Sequence, residues 1–157
     1  MPMTNRPKPD LCNCMALRQA ARHVTQFYDH YLAPTGVRAT QFSILAKLER
    51  LGPITINALA ENLVMDRTTL GRNIQPLERE GLIAVTTGRA DRRSKELQLT
   101  DAGAARLRAA SEVWTEAQTR FEASFGSERA ADLRAILRAV TASDLVTAAS
   151  DAPEPPA

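Results

Sequence analysis

The stretch GRADRRSKELQLTDAG, residues 88–103, decides the fold of this chain. Its first half surrounds one acidic residue, Asp91, with four cationic ones: Arg89, Arg92, Arg93 and Lys95. Like charges crowded on a short turn repel one another, and a bound anion relieves that repulsion. The second half alternates polar and apolar residues and then reaches a helix start. The stretch therefore predicts the tip of a β-hairpin that meets a polyanion.

The sequence on either side of the basic residues is typical of two strands. LIAVTT (82–87) is rich in β-branched residues, and ELQL (96–99) alternates polar and apolar positions. Two such runs separated by a short polar loop favour an antiparallel hairpin, with the cationic side chains at its tip.

Two short helices precede this hairpin. In PITINALAENL (53–63) the apolar residues recur at three- and four-residue steps, and a three-residue break, Val64 to Asp66, follows. RTTLGRNIQPLEREG (67–81) then predicts a second helix, capped by Asp66 and closed by Gly81. Two helices joined by a tight turn and followed by a hairpin form a winged helix-turn-helix. The fold class is thus mainly α with a small β-hairpin.

The second of these helices has two distinct faces. Leu70, Ile74 and Leu77 fall within about 60° of one another at the helical repeat of 100° per residue. The opposite face presents hydroxyl, guanidinium and amide groups, which are the groups that contact base edges and phosphates in a major groove. It comprises Thr68, Arg72, Gln75 and Arg79. Pro76 lies inside the helix, and we expect a bend there.

Longer helices are predicted at both ends of the chain. A helix from a Thr40 cap to Gly52 leads into the two short helices, whereas the terminal helices run from about Cys12 to Leu32, from Asp101 to about Phe125, and from a Ser127 cap onward. Their apolar stripes exceed what one small lobe can cover, which predicts a homodimer with interleaved terminal helices. A two-fold dimer would present two DNA-reading helices to a two-fold DNA site.

These elements give a domain organisation. We expect residues 1–10 to be a flexible arm, residues 11–150 a single domain, and residues 151–157 a disordered tail. Within the domain, residues 38–100 would be the DNA-binding lobe, and residues 11–37 and 101–150 the dimerisation helices.

Composition excludes several classes of protein. The 157 residues carry a net charge of +2 and are 44% hydrophobic, and no apolar run approaches the roughly 18 residues that span a bilayer. The N-terminus does not resemble a secretory signal, so we expect a cytoplasmic protein without a membrane partner. No glycine-rich phosphate loop, HExxH motif or paired-acid constellation indicates an enzyme. The C-x-C spacing of the cysteines is poor for zinc, and we expect no metal and no cofactor.

The motifs resemble those of the MarR (multiple antibiotic resistance regulator) family over roughly residues 12–145. The wing signature D-x-R followed by L-x-L-T-x-x-G is present at residues 91–103, and LEREGLI ends the helix-turn-helix at residues 77–83. The resemblance implies a transcriptional regulator, expected to be a homodimeric repressor whose affinity for double-stranded DNA a small effector modulates. It also implies that Arg93 enters the minor groove and that Asp91 holds a wing arginine in place by a charge-assisted hydrogen bond.

Together with the helix face described above, the resemblance gives a predicted DNA-binding set. It comprises Arg67, Thr68, Thr69, Arg72, Gln75, Arg89, Asp91, Arg92, Arg93 and Lys95.

The signal to which the regulator responds is left open between two hypotheses. One is a small aromatic or lipophilic effector in a cleft lined by His23, Phe27, Tyr28, Phe42 and Trp114; the alternative is that the aromatic residues are core. The other is thiol oxidation, because residues 14–28 partly resemble the organic-hydroperoxide-sensing branch of the family. Cys14 lies near a helix start, with Cys12 as a second thiol. Both cysteines can equally be ordinary residues at a helix end.

Overall fold

A computed structural model of the chain describes residues 8–145. The predicted arm and tail lie wholly or largely outside this range. The described elements follow the order that the sequence predicts, with one added strand and two added 3₁₀ helices, Pro9–Leu11 and Ala33–Thr35. The α-helices and strands have the following bounds. They are α1 (Asn13–Leu32), α2 (Ala39–Leu51), β1 (Ile54–Thr55), α3 (Ile56–Asn62), α4 (Arg67–Arg79), β2 (Ile83–Thr87), β3 (Lys95–Leu99), α5 (Asp101–Phe125) and α6 (Ser127–Ala142).

The chain forms two compact units, one ending at Gln118 and the other beginning at Thr119. The first unit contains α1 to β3 and most of α5, and the second contains the end of α5 together with α6. Among the described residues, no helix combines the length and the apolar character needed to cross a membrane.

A small antiparallel sheet with strand order β1-β3-β2 carries the wing. β2 and β3 pair with Val85 opposite Leu97 and Thr87 opposite Lys95, so the predicted hairpin is confirmed to within one residue at each strand. β1 pairs on the other edge of β3, with Ile54 opposite Leu97. Sequence reasoning missed β1 because two residues are too few to show an alternating pattern.

The core of the first unit is built from the apolar stripes of α2, α3 and α4. Leu45, Leu59 and Leu70 are fully buried there, and Leu97 from β3 and Leu107 from α5 complete the cluster. α3 and α4 with the intervening break, followed by the β2–β3 hairpin, form a winged helix-turn-helix. The predicted fold class is therefore confirmed.

Two predicted helix caps are wrong. α2 begins at Ala39 rather than after a Thr40 cap, because the Ala39 amide donates to the Asp29 carboxylate of α1 at 2.7 Å. α6 begins at Ser127 itself, and its N-cap is Gly126 with φ of 98°. In the first case a carboxylate from another helix fixes the helix start, and Gln41 Oε1 accepts from the Arg38 amide at 3.1 Å. In the second, glycine adopts a backbone angle that serine rarely adopts.

The threonine of the L-x-L-T-x-x-G motif joins four elements. Its hydroxyl donates to the Gly81 carbonyl at 2.6 Å and accepts from the Gly103 amide at 3.0 Å. The Thr100 amide donates to the Leu82 carbonyl at 3.1 Å. The end of α4, the approach to β2, the end of β3 and the first turn of α5 are thus fixed at one point. Thr100, a residue of the wing signature, therefore has a structural role, because it joins these elements.

We predict that Thr100→Val lowers the free energy of unfolding by roughly 1–2 kcal/mol, because valine keeps the shape but leaves the Gly81 carbonyl and the Gly103 amide without this partner. Urea unfolding measures the change. Thr100→Ser keeps the hydroxyl and is the matched control. Equal stability of the valine and serine variants would show that the hydroxyl does not hold this junction.

The glycine of the same motif generates a second prediction. A Cβ at Gly103 would overlap the Leu82 carbonyl and approach Leu99 Cδ1 to 2.8 Å, whereas a Cβ at Gly71 in α4 would meet no atom within 4 Å. We expect Gly103→Ala to destabilise the protein by roughly 1–3 kcal/mol. Gly71→Ala should instead stabilise it by up to about 1 kcal/mol through helix propensity. Unfolding curves that move in the same direction for both variants would contradict the account.

Candidate nucleic-acid interface

The first turn of α4 is fixed by a carboxylate. Asp66 is the N-cap, and its Oδ1 accepts from the Thr69 amide at 2.8 Å. Its Oδ2 accepts from the Thr69 hydroxyl at 2.6 Å. The hydrogen bond from the Thr69 side chain, followed by the one from its backbone, lowers the pKa of Asp66 below the usual value of 3.8. The carboxylate is therefore ionised at neutral pH and can only accept hydrogen bonds.

The two faces of α4 separate as the sequence predicts. Leu70, Ile74 and Leu77 are buried in the core. The polar side of the helix is exposed and comprises Arg67, Thr68, Thr69, Arg72, Gln75 and Arg79. α4 continues through Pro76, whose carbonyl accepts from the Glu80 amide at 3.0 Å. Gln75 and Arg79 thus remain on the exposed side of one helix.

The wing tip is closed by a tight turn built on Asp91. The Ser94 amide donates to the Asp91 carbonyl at 3.0 Å, and the Ser94 hydroxyl donates to the same oxygen at 2.8 Å. Asp91 Oδ1 accepts from the Arg93 amide at 2.9 Å, as is typical of aspartate at the first position of a turn. The Gly88 amide then donates to the Ser94 carbonyl at 2.8 Å. This network fixes the backbone that carries the cationic side chains.

Asp91 therefore acts on the backbone of a wing arginine. Among residues 8–145 the carboxylate accepts from the Arg93 amide, and none of the ion pairs there joins it to a guanidinium. The five predicted wing residues are all exposed: Arg89, Asp91, Arg92, Arg93 and Lys95.

Sequence reasoning missed Gly88 and Ser94. A Cβ at Gly88 would overlap the Ser94 hydroxyl and lie 2.7 Å from the Asp91 carbonyl oxygen, so the turn needs glycine there. The available signal was a glycine at the end of one strand and a serine immediately before the next.

A cavity of about 230 Å³ lies in the same unit, between α1, α2 and α5. The rings of Phe42 and Trp114 stack across 5.9 Å at an interplanar angle of 17°. The Tyr28 hydroxyl donates to Gln118 Oε1 at 2.6 Å. The lining comprises Val24, Thr25, Tyr28, Leu32, Ala39, Phe42, Ser43 and Trp114.

The structure brings together three of the five residues predicted for an effector cleft: Tyr28, Phe42 and Trp114. Phe27 packs instead against the rings of Tyr28 and Tyr31, and His23 is an exposed residue of α1 outside the lining. Helical periodicity placed all five on α1, α2 and α5 but could not determine which side chains meet.

Both cysteines lie exposed at the start of α1, with free thiols. Cys12 is the N-cap, and its Sγ accepts from the Met15 amide at 3.4 Å, while Cys14 lies in the first turn. Among the described residues, no group of three or more histidine, cysteine or acidic side chains could hold a metal ion.

Comparison with known proteins gives the family. The MarR family model matches residues 37–95, which contain the helix-turn-helix and most of the wing. The crystal structure of the Mycobacterium tuberculosis transcriptional regulator MosR in complex with DNA is 38% identical, with a TM-score of 0.72. That match covers 83% of this chain and 97% of MosR. The chain belongs to the MarR family.

Two curated relatives match this chain over a shorter length than MosR does. The HTH-type transcriptional regulator PecS of Dickeya dadantii is 32% identical over 102 residues, which is 63% of this chain and 61% of PecS. The organic hydroperoxide resistance transcriptional regulator of Bacillus subtilis is 29% identical over 91 residues, which is 58% of this chain and 62% of that protein. The matched region thus spans less than two thirds of either relative.

The MarR family comprises DNA-binding transcription regulators, so the predicted regulator class is confirmed and the enzyme class is excluded.

Proposed function

We propose that this MarR protein regulates transcription by binding a two-fold DNA site as a homodimer. In this proposal each α4 lies in a major groove and each wing contacts the adjacent minor groove and backbone. The observation that carries it is the wing tip, where the Asp91 turn holds three exposed arginines on a fixed backbone. Fixing the backbone before binding reduces the entropy lost when the arginines meet phosphates. The similarity to MosR, solved in complex with DNA, supports the same use of the fold.

Exposed apolar side chains support the homodimer. On α6, Ile136 is 62% exposed and Leu137 and Val140 are each 37% exposed. On α1, Met15 and Leu17 are 42% and 41% exposed. Apolar residues that recur along one helix and face solvent favour a protein–protein contact. A second copy is the partner that gives two α4 helices for a two-fold site.

We assign the DNA-contacting role to the exposed residues of α4 and the wing named above. A repressor acts in the compartment that holds the chromosome, and the location that the proposal implies is the cytoplasm.

The cavity between α1, α2 and α5 is our candidate effector site. Its lining combines stacked Phe42 and Trp114 rings with the hydroxyls of Thr25, Tyr28 and Ser43. None of the eight described lining residues carries a formal charge. A charged ligand would find no opposite charge in this lining, whereas a neutral aromatic ring can stack and hydrogen-bond there. We therefore propose an uncharged aromatic effector.

Thiol oxidation is a second candidate signal, favoured by the position of Cys12 and Cys14 at the exposed start of α1. A thiolate sulfur there would attack one oxygen of a hydroperoxide. The O–O bond would break, an alcohol would leave after protonation, and a sulfenic acid would remain on the cysteine. The B. subtilis relative is named for organic hydroperoxide resistance, which motivates this alternative.

For DNA binding, we predict that Arg93→Ala weakens affinity for a selected duplex by roughly 1–3 kcal/mol if the guanidinium makes a specific groove contact. Electrophoretic mobility shifts at fixed salt measure the change. Arg108 is an exposed residue of α5, outside α4 and the wing. Arg108→Ala removes the same charge there and should leave the affinity for DNA nearly unchanged. Equal losses in the two variants would remove the wing from the DNA-binding surface.

For the effector, Trp114 is the single tryptophan of the chain and lines the cavity, so its fluorescence reports on occupancy. We expect benzamide to quench this fluorescence at lower concentrations than benzoate, because benzoate would bring an unpaired charge into the lining. Ser43→Leu narrows the cavity and should weaken both responses. Stronger quenching by benzoate would contradict an uncharged effector.

For the redox alternative, we expect Cys14→Ser to abolish release of DNA by an organic hydroperoxide, because serine cannot form a sulfenic acid. Cys12→Ser tests the capping thiol in the same titration. Unchanged peroxide-induced release from the Cys14 variant would exclude Cys14 as the sensor.

A further inference from the structure

We propose that Thr69 is a specificity-determining hydrogen-bond acceptor at the start of α4 and that Asp66 positions it. The inference rests on the proposed DNA binding by α4 and goes further, because it assigns the class of base that this turn would recognise. The geometry that carries it is the double hydrogen bond between these two side chains.

A threonine hydroxyl has one hydrogen to donate and two lone pairs with which to accept. The Thr69 hydroxyl lies 2.6 Å from Asp66 Oδ2, and a carboxylate can only accept, so its hydrogen points to Asp66. Both residues are exposed. The hydroxyl therefore presents lone pairs, and no donor, to a ligand that approaches the first turn.

Two further hydrogen bonds keep Thr69 in this state. Its amide donates to Asp66 Oδ1 at 2.8 Å, so the hydroxyl and the backbone are held by the same carboxylate. Its carbonyl accepts from Asn73 Nδ2 at 2.9 Å. Rotating the hydroxyl to donate elsewhere would break a charge-assisted bond. In contrast, within residues 8–145 no side-chain hydrogen bond holds the neighbouring Thr68, which can donate or accept.

The polarity of Thr69 determines which bases it could contact. In the major groove, cytosine presents the N4 amino group and adenine the N6 amino group as donors. Guanine O6 and N7 and thymine O4 are acceptors, and they would face the lone pairs of Thr69 without a bridging hydrogen. The first turn of α4 should therefore favour a base whose amino group lies in the major groove, cytosine or adenine, on one defined strand at one position in each half-site.

Asp66→Asn reverses this polarity with little change in shape. The amide oxygen can still accept from the Thr69 amide, so the helix keeps a cap of comparable quality. The amide nitrogen would then donate to the Thr69 hydroxyl oxygen, which frees the hydroxyl hydrogen for DNA. Glu61→Gln makes the same charge change at an exposed residue of α3 and is the matched control.

The experiment selects a duplex with the wild-type protein and then measures competition by duplexes that carry each base pair at each position. Wild type should prefer an amino-bearing base at one position per half-site by roughly three- to tenfold, the ratio expected for one hydrogen bond. Asp66→Asn should lose or invert that preference, and Glu61→Gln should retain it. Thr69→Val should lose it at the same position, and Thr69→Ser should retain it.

An unchanged preference profile in Asp66→Asn and Thr69→Val, with DNA still bound, would overturn the inference while leaving DNA binding by α4 intact. A wild-type protein that selects no duplex from the pool would instead overturn the proposed function, and this inference with it. Because the readout is a ratio between bases, a uniform gain in affinity from removing a negative charge does not affect it.

Discussion

The winged helix-turn-helix depends on the two hydrogen bonds of the Thr100 hydroxyl. By donating to the Gly81 carbonyl and accepting from the Gly103 amide, it ties the end of α4 to the start of α5 at the point where β3 ends. One side chain therefore holds the wing and the end of α4 together. The close approach of Gly103 to the Leu82 carbonyl makes the same junction compact. α4 and the wing can act together on one duplex only while this junction stays formed.

Local hydrogen bonds then orient the polar groups that the junction positions. Asp66 caps α4 and takes the hydroxyl hydrogen of Thr69, while Asp91 accepts from the Arg93 amide at the wing tip. In each case an exposed carboxylate fixes a backbone next to groups proposed to contact DNA. A carboxylate near DNA repels phosphate, so its position is favourable where it orders the contacting groups before binding. The two acids of the interface thus have the same physical role on different elements.

Much of this fold was predictable from the sequence because its signals are local. The Leu70, Ile74 and Leu77 stripe and the alternation of residues 96–99 each specify an element without reference to distant residues. The wrong caps had a different cause. Thr40 was displaced by Asp29, ten residues before Ala39, and only tertiary structure brings that carboxylate to the α2 start. Likewise, periodicity placed His23 and Phe27 on α1 but did not show that both lie outside the cavity lining. Local sequence patterns predicted the elements, but they could not predict which side chains of different elements are in contact.

The salt dependence of DNA binding, measured together with the number of chains per duplex, tests the central claim most directly. We predict two chains on a selected two-fold duplex. The logarithm of the association constant should fall linearly with the logarithm of salt concentration, with a slope of about −0.9 for each phosphate neutralised. One chain per duplex, or an affinity that salt does not change, would contradict the proposal that a dimer binds DNA through the α4 helix and the arginine-bearing wing of each chain.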